Sequence, residues 1–93
     1  MDTTHLFELQ AQNAPSILPR ICLVLSRRRI TPLHLSFAVS DDAKSCTLEI
    51  TIECDRNTAN RLQAQLARVV ELTDISMRPS SPQLLAADTG AAA

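Results

Sequence analysis

Residues 46 to 54 alternate without interruption. Cys46, Leu48, Ile50, Ile52 and Cys54 stand on one side, and Thr47, Glu49, Thr51 and Glu53 on the other. Successive side chains of an extended chain point to opposite faces, so this run is a strand with one apolar and one polar face. A strand divided so cleanly suits an antiparallel sheet whose apolar side is covered by helices. Whatever else the chain forms must supply that cover and the neighbouring strands.

The rest of the sequence does so in order. Residues 1–4 read as a short leader. From His5 to Gln12 the period is again two, with Phe7, Leu9 and Ala11 on one face. Ile17, Ile21, Val24, Leu25 and Arg28 then follow helical spacing, flanked by Leu18 and Cys22, which predicts a helix from about Pro15 or Ser16 to Arg28. Pro19 fits only within the first turn, where a missing N–H costs no intrahelical bond. Pro32 breaks the pattern, and Leu33 to Ser40 alternates as a second strand. Asp41-Asp42-Ala43-Lys44 is a polar turn joining it, as a hairpin, to the strand at 46–54. Asp55 or Asn57 can cap a second helix, from about Asn57 to Val70, with Ala59, Leu62, Leu66, Val69 and Val70 inward. A fourth strand follows to Arg78, with Ile75 and Met77 inward, before Pro79-Ser80-Ser81-Pro82. The order is βαββαβ. It implies an α+β, ferredoxin-like sandwich: a four-stranded antiparallel sheet with two helices on one face. Right-handed crossovers put the first and third strands in the centre. Residues 1–78 make a single domain, and 79–93 read as a flexible tail.

Composition narrows the function. The formal charge is −1, without the basic excess of a nucleic-acid binder. No apolar run nears the ~20 residues of a membrane span, and the first residues lack a signal-peptide pattern. Cys22, Cys46 and Cys54 are odd in number and widely spaced, which argues against a disulfide framework or a C-x-x-C metal or redox pair. A cytoplasmic setting is expected, with all three as small core residues. Phe7 and Phe37 are the only aromatics, so the core is aliphatic, which argues against the aromatic stacking of an RNA-recognition module. The only glycine, Gly90, lies in the tail, which argues against a glycine-bearing phosphate cradle of the acylphosphatase kind. His5 and His34 have no partners at metal-ligand spacing and read as surface or interface residues.

The turn from Gln12 to Arg20 is where binding chemistry concentrates. An alternating run enters it and an amphipathic helix leaves it. Asn13 or Ser16 can cap that helix. The first backbone N–H groups of a helix have no intrahelical partner and form a seat for a small anion such as an amino-acid carboxylate. No base accompanies Ser16, so it is not read as a nucleophile. At the far end, Arg27, Arg28 and Arg29 suit the helix C-terminus. Three in succession exceed what that needs, and they suit an acidic partner surface.

Asn13-Ala14-Pro15-Ser16-Ile17-Leu18-Pro19-Arg20-Ile21, followed by Leu25-Ser26-Arg27-Arg28-Arg29-Ile30, resembles the opening of an ACT domain. The usual pattern there is Asn-x-Pro-Gly-x-Leu-x-Arg-(Ile/Val), then Phe-Ser-Arg-Arg-Gly-(Phe/Ile). Gln63 to Leu72 is similar to a Gln-Leu-x-Lys-Leu-Val-Asp-Val segment. More narrowly, residues 5 to about 78 resemble the short, single-ACT regulatory small subunit of acetolactate synthase (acetohydroxyacid synthase). The resemblance implies a non-catalytic subunit that binds and activates the large catalytic subunit in branched-chain amino-acid biosynthesis. Thiamine diphosphate, Mg²⁺ and FAD would belong to that large subunit, with no cofactor or metal in this chain. It also implies an effector seat at Asn13, Ser16, Ile17 and Leu18, a partner contact at Arg27, Arg28 and Arg29, and a homodimer through the edge strand 33–40. Ser16 and Arg29 stand where the family has Gly, which weakens the expectation of valine feedback. The alternative is a free-standing ACT-domain sensor of an amino acid.

Overall fold

The structure, a computed structural model, describes residues 2–80. The elements are β1 (Thr3–Gln12), α1 (Ile17–Arg27), β2 (His34–Val39), β3 (Ser45–Cys54), α2 (Arg56–Leu66) and β4 (Leu72–Ser80). They form one antiparallel sheet in the order β2-β3-β1-β4. The first and third strands are therefore central, as expected. The ferredoxin-like βαββαβ arrangement is the one the periodicity predicted.

Register explains where the core lies. Phe7 stands opposite Ile50, and Leu9 opposite Leu48. Residues directly opposite share a face, so both strands deliver their apolar sets to the same side. There they meet Ile17, Ile21 and Leu25 of α1 and Ala59, Leu62 and Leu66 of α2, all buried. Each fully buried aliphatic side chain contributes about 1.5–3 kcal/mol. Asp55 caps α2, its side chain accepting from the Thr58 N–H at 3.2 Å. Hydrogen bonding to Thr58, through its side chain first and then its backbone N–H, holds the carboxyl below its usual range.

Several boundaries differ from expectation, each for a local reason. Thr3 is not part of a leader; it already pairs with Cys54. α2 ends at Leu66, not Val70. Beyond it, bonds from Arg68 N–H to Gln65 O and from Val69 N–H to Leu66 O tighten the turn that feeds β4. Val69 is still buried there, but Val70 is 85% exposed rather than part of the helical stripe. β4 runs on through Pro79, which pairs with His5. Proline is tolerated there because β4 is an edge strand, paired with β1 alone among the described residues. The expectation of a flexible tail falls mainly on residues 81–93, outside the described residues.

The end of α1 is the most constrained turn. Ile30 N–H donates to Leu25 O, and Arg29 N–H to Ser26 O, both at 2.9 Å. This is the paired bonding of a Schellman cap. It requires a left-handed residue, and Arg29 supplies it at φ 57°. Ile30 then packs against the core beside Leu25. Of the two positions where the resembled family has Gly, only this one uses the conformation that glycine favours. Ser16 sits at φ −84°. An ordinary L-residue in the left-handed region costs about 1 kcal/mol. Arg29→Gly should therefore raise the unfolding free energy by about 0.5–1 kcal/mol in urea denaturation, net of glycine's own entropy cost. Arg29→Ala should leave it nearly unchanged. A glycine variant no more stable than the alanine variant would show that this backbone carries no strain.

Candidate functional site

The turn between β1 and α1, residues 13–16, is clamped to the β2–β3 hairpin turn. Asn13 N–H donates to Lys44 O at 3.0 Å, and Asn13 Nδ2 donates to Ala43 O at 2.9 Å. The hairpin turn is itself fixed. Ala43 is left-handed at φ 61°. Asp42 Oδ1 accepts from Ser40 Oγ at 2.6 Å and from Lys44 N–H at 3.0 Å. Those bonds, Ser40 first, hold the Asp42 carboxyl below its usual range. Asn13 is thus a loop-fixing residue. It does not cap α1.

Ser16 does not cap α1 either, although it occupies the N-cap position. A capping hydroxyl needs extended backbone to reach the second or third helical N–H. Ser16 is α-helical at φ −84° and ψ −9°. The third helical residue is Pro19, which has no N–H to offer. Pro19 thus lies in the first turn, as its chemistry demands. Of the remaining early donors, Ile17 N–H is used by Ala14 O at 3.1 Å.

The chain's own carboxylate, Glu71, reaches the side chains at this turn. Ser16 Oγ donates to Glu71 Oε2 at 3.3 Å. Glu71 Oε1 lies 3.4 Å from Arg20 Nη1, a charge contact without hydrogen-bond geometry, and has no hydrogen-bond partner. Arg20 is nearly half exposed, so the pair is worth about 0.5 kcal/mol. Glu71 O also accepts from Gln12 N–H at 2.8 Å, which holds the segment against the end of β1. Only the contact of two segments 55 residues apart identifies Glu71. Its one signal in the sequence is the acid at the end of the Gln63–Leu72 segment.

The other residues singled out are dispersed. Ile17 is buried in the core, and Leu18 is half-buried against it. Arg27, Arg28 and Arg29 are exposed at the opposite end of α1 from the turn. Arg28 Nε donates to Gln65 Oε1 of α2. Cys46 and Cys54 are core residues, with burial pushing both thiols up. Cys22 is not a core residue; it is exposed. One position past buried Ile21, it turns toward the β2 edge and lines a groove of about 470 Å³ with Leu25, Ile30 and Leu35. His5 is also not at the surface. It is buried on the covered face of β1, sharing a 2.9 Å hydrogen bond with Thr3 Oγ1. His34 is exposed. Along β2, Leu33 is 51% exposed, and Phe37 and Val39 are also open to solvent.

Asn13→Ala removes one of the two bonds joining the turns, a loss of about 1 kcal/mol. Amide exchange at residue 13 should quicken and the unfolding midpoint should fall. Asn13→Asp should be no better, because a carboxylate would face the Ala43 carbonyl. Wild-type exchange in both variants would mean the side chain fixes nothing.

No protein-family model matches the sequence, and no curated protein matches it. Solved structures do match in three dimensions. The ACT domain from GTP pyrophosphokinase of Chlorobium tepidum is 13% identical, with a TM-score of 0.74, over 84% of this chain and 100% of that one. The acetolactate synthase small subunit from Thermotoga maritima is 20% identical, with a TM-score of 0.70. That match covers 85% of this chain and 48% of the subunit, so the chain spans about half of its length. The uncharacterized protein TM1266 from Thermotoga maritima is 10% identical, with a TM-score of 0.71, over 85% of this chain and 98% of that one. With its β2-β3-β1-β4 sheet, its covering helices and the ordered motif around the β1–α1 turn, the chain has an ACT-like fold.

Proposed function

We propose that this chain is a non-catalytic regulatory small subunit of acetolactate synthase. It would bind and stimulate the large catalytic subunit, which would carry thiamine diphosphate, Mg²⁺ and FAD. The observation that carries this reading is the ordered motif Asn13 to Ile30 lying on an ACT-like fold. Its Asn marks the clamped β1–α1 turn, and its second Gly position is the left-handed Arg29 of the helix cap. Similarity to an acetolactate synthase small subunit supports the same reading at the level of fold.

Valine feedback is weak or absent in this reading. An amino-acid carboxylate entering the β1–α1 turn meets the like charge of Glu71, already bonded to Ser16 and beside Arg20. The test is acetolactate formation by the organism's large subunit, with and without this chain, titrated with valine, leucine and isoleucine. Stimulation with little inhibition is the expected result. Strong inhibition would overturn the role given to Glu71, and absence of both stimulation and complex would overturn the subunit role. Direct amino-acid binding in that last case would favour a free-standing sensor.

The subunit would pair with a second copy through β2. That strand pairs only with β3 among the described residues. Its exposed Leu33, Phe37 and Val39 form an apolar edge next to the groove at Cys22. An unpaired apolar edge is a template for another strand. Sedimentation of the isolated chain should show a dimer, and Phe37→Glu should shift it toward monomer. A monomeric unaltered chain would remove this part of the reading.

A further inference from the structure

We propose that the helical layer, not the sheet, faces the catalytic partner, and that Arg28, Arg61 and Arg68 together clasp a carboxylate on the partner's surface. The inference rests on the subunit reading above and adds the contact face, its chemistry and the orientation of the chain.

The two faces of the molecule carry opposite charge. Neither α1 nor α2 contains an Asp or Glu. Arg20 and Arg27 lie on α1, and Arg56 and Arg61 on α2. Arg28, Arg29 and Arg68 follow within two residues of the helix ends, so this layer holds most of the chain's nine cationic side chains. On the open side of the sheet, register places Glu8 directly opposite Glu49, with Glu53 and Asp74 on the same face. Arg78 lies on that face too, but Glu8 engages it at 2.9 Å. An acidic partner is attracted by one face and repelled by the other.

Within the cationic layer one site is built. Arg28, Arg61, Ala64, Gln65 and Arg68 line a cleft of about 280 Å³ between the end of α1 and α2. Arg61 lies on α2 and Arg68 in the turn just past its end, with the small Ala64 between them in sequence leaving the floor open. Arg28 arrives from the other helix. Its Nε is committed to Gln65 Oε1, which orients the guanidinium and leaves both Nη groups for an incoming oxygen pair. The ion pairs among the described residues are Arg20–Glu71 and Arg78–Glu8, so none of the three arginines has a carboxylate partner there. Three like charges around one cleft repel until an anion enters. A planar carboxylate matches the guanidinium fork. The cleft has no aromatic or extended apolar wall to hold a nucleobase or sugar. The surrounding field is broad, which suits carboxylates carried on a protein surface.

The test measures affinity of the full chain for the organism's large catalytic subunit over a series of salt concentrations. Three forms are compared: the unaltered chain, Arg61→Glu with Arg68→Glu, and Glu49→Lys with Glu53→Lys. All substituted residues are exposed, and circular dichroism checks each fold. The neutral pair Arg61→Gln with Arg68→Gln serves if the charge reversal misfolds. The arginine variant should bind about tenfold or more weakly, mainly through slower association, with a shallower salt dependence. The sheet-face variant should bind as the unaltered chain does. Equal binding by the arginine variant, with stimulation intact, would overturn the clasp and leave the subunit role standing. Weakening by the sheet-face variant alone would reverse the orientation. A change in the mass of the isolated arginine variant, with partner affinity unchanged, would assign the clasp to a second copy and overturn the proposal. No binding by the unaltered chain would overturn both readings together.

Discussion

The antiparallel register of β1 and β3 is the constraint on which the other elements depend. With Phe7 opposite Ile50 and Leu9 opposite Leu48, both central strands place their apolar residues on the covered face. A slip of one residue would send that set to the open side, because side chains alternate with period two. Both helices cover the face so defined, and β2 and β4 add to its two edges. The same register puts Glu8 beside Glu49 on the open side. The acidic character of that face is therefore a consequence of how the core is arranged.

Around this centre the turns of the described residues are made without glycine. Among the described residues, Arg29 and Ala43 are left-handed. At Arg29 the strain is offset by two carbonyl bonds and by Ile30 seated against the core. At Ala43 the neighbouring carboxylate of Asp42 fixes the turn, and Asn13 binds the Ala43 carbonyl in return. The β1–α1 turn is thus held from one side by a hairpin and from the other by Glu71.

Element types were legible because each segment of the core obeys a simple period. Cys46–Cys54 reads as a strand and Ile17–Leu25 as a helix from spacing alone. The departures occur where a residue's surroundings come from elsewhere in the chain. Cys22 was read with the apolar stripe, yet it looks onto the groove beside β2. Val70 continued the stripe of α2, yet the chain must turn there to reach β4, so it faces solvent. Ser16 has the chemistry of a cap, but its backbone angles and Pro19 deny it an N–H to accept from.

The sequence by itself determined the βαββαβ order, the inward set and the arginines grouped at the end of α1. Periodicity, proline positions and charge are local properties, and each can be read without a partner segment. Tertiary structure alone decided that Glu71 bonds to Ser16 at the β1–α1 turn, that Asn13 clamps a hairpin, and that Arg28 joins Arg61 and Arg68 in one cleft. Those pairings join residues tens of positions apart. Their geometry follows from how helices and strands pack, which no local pattern encodes.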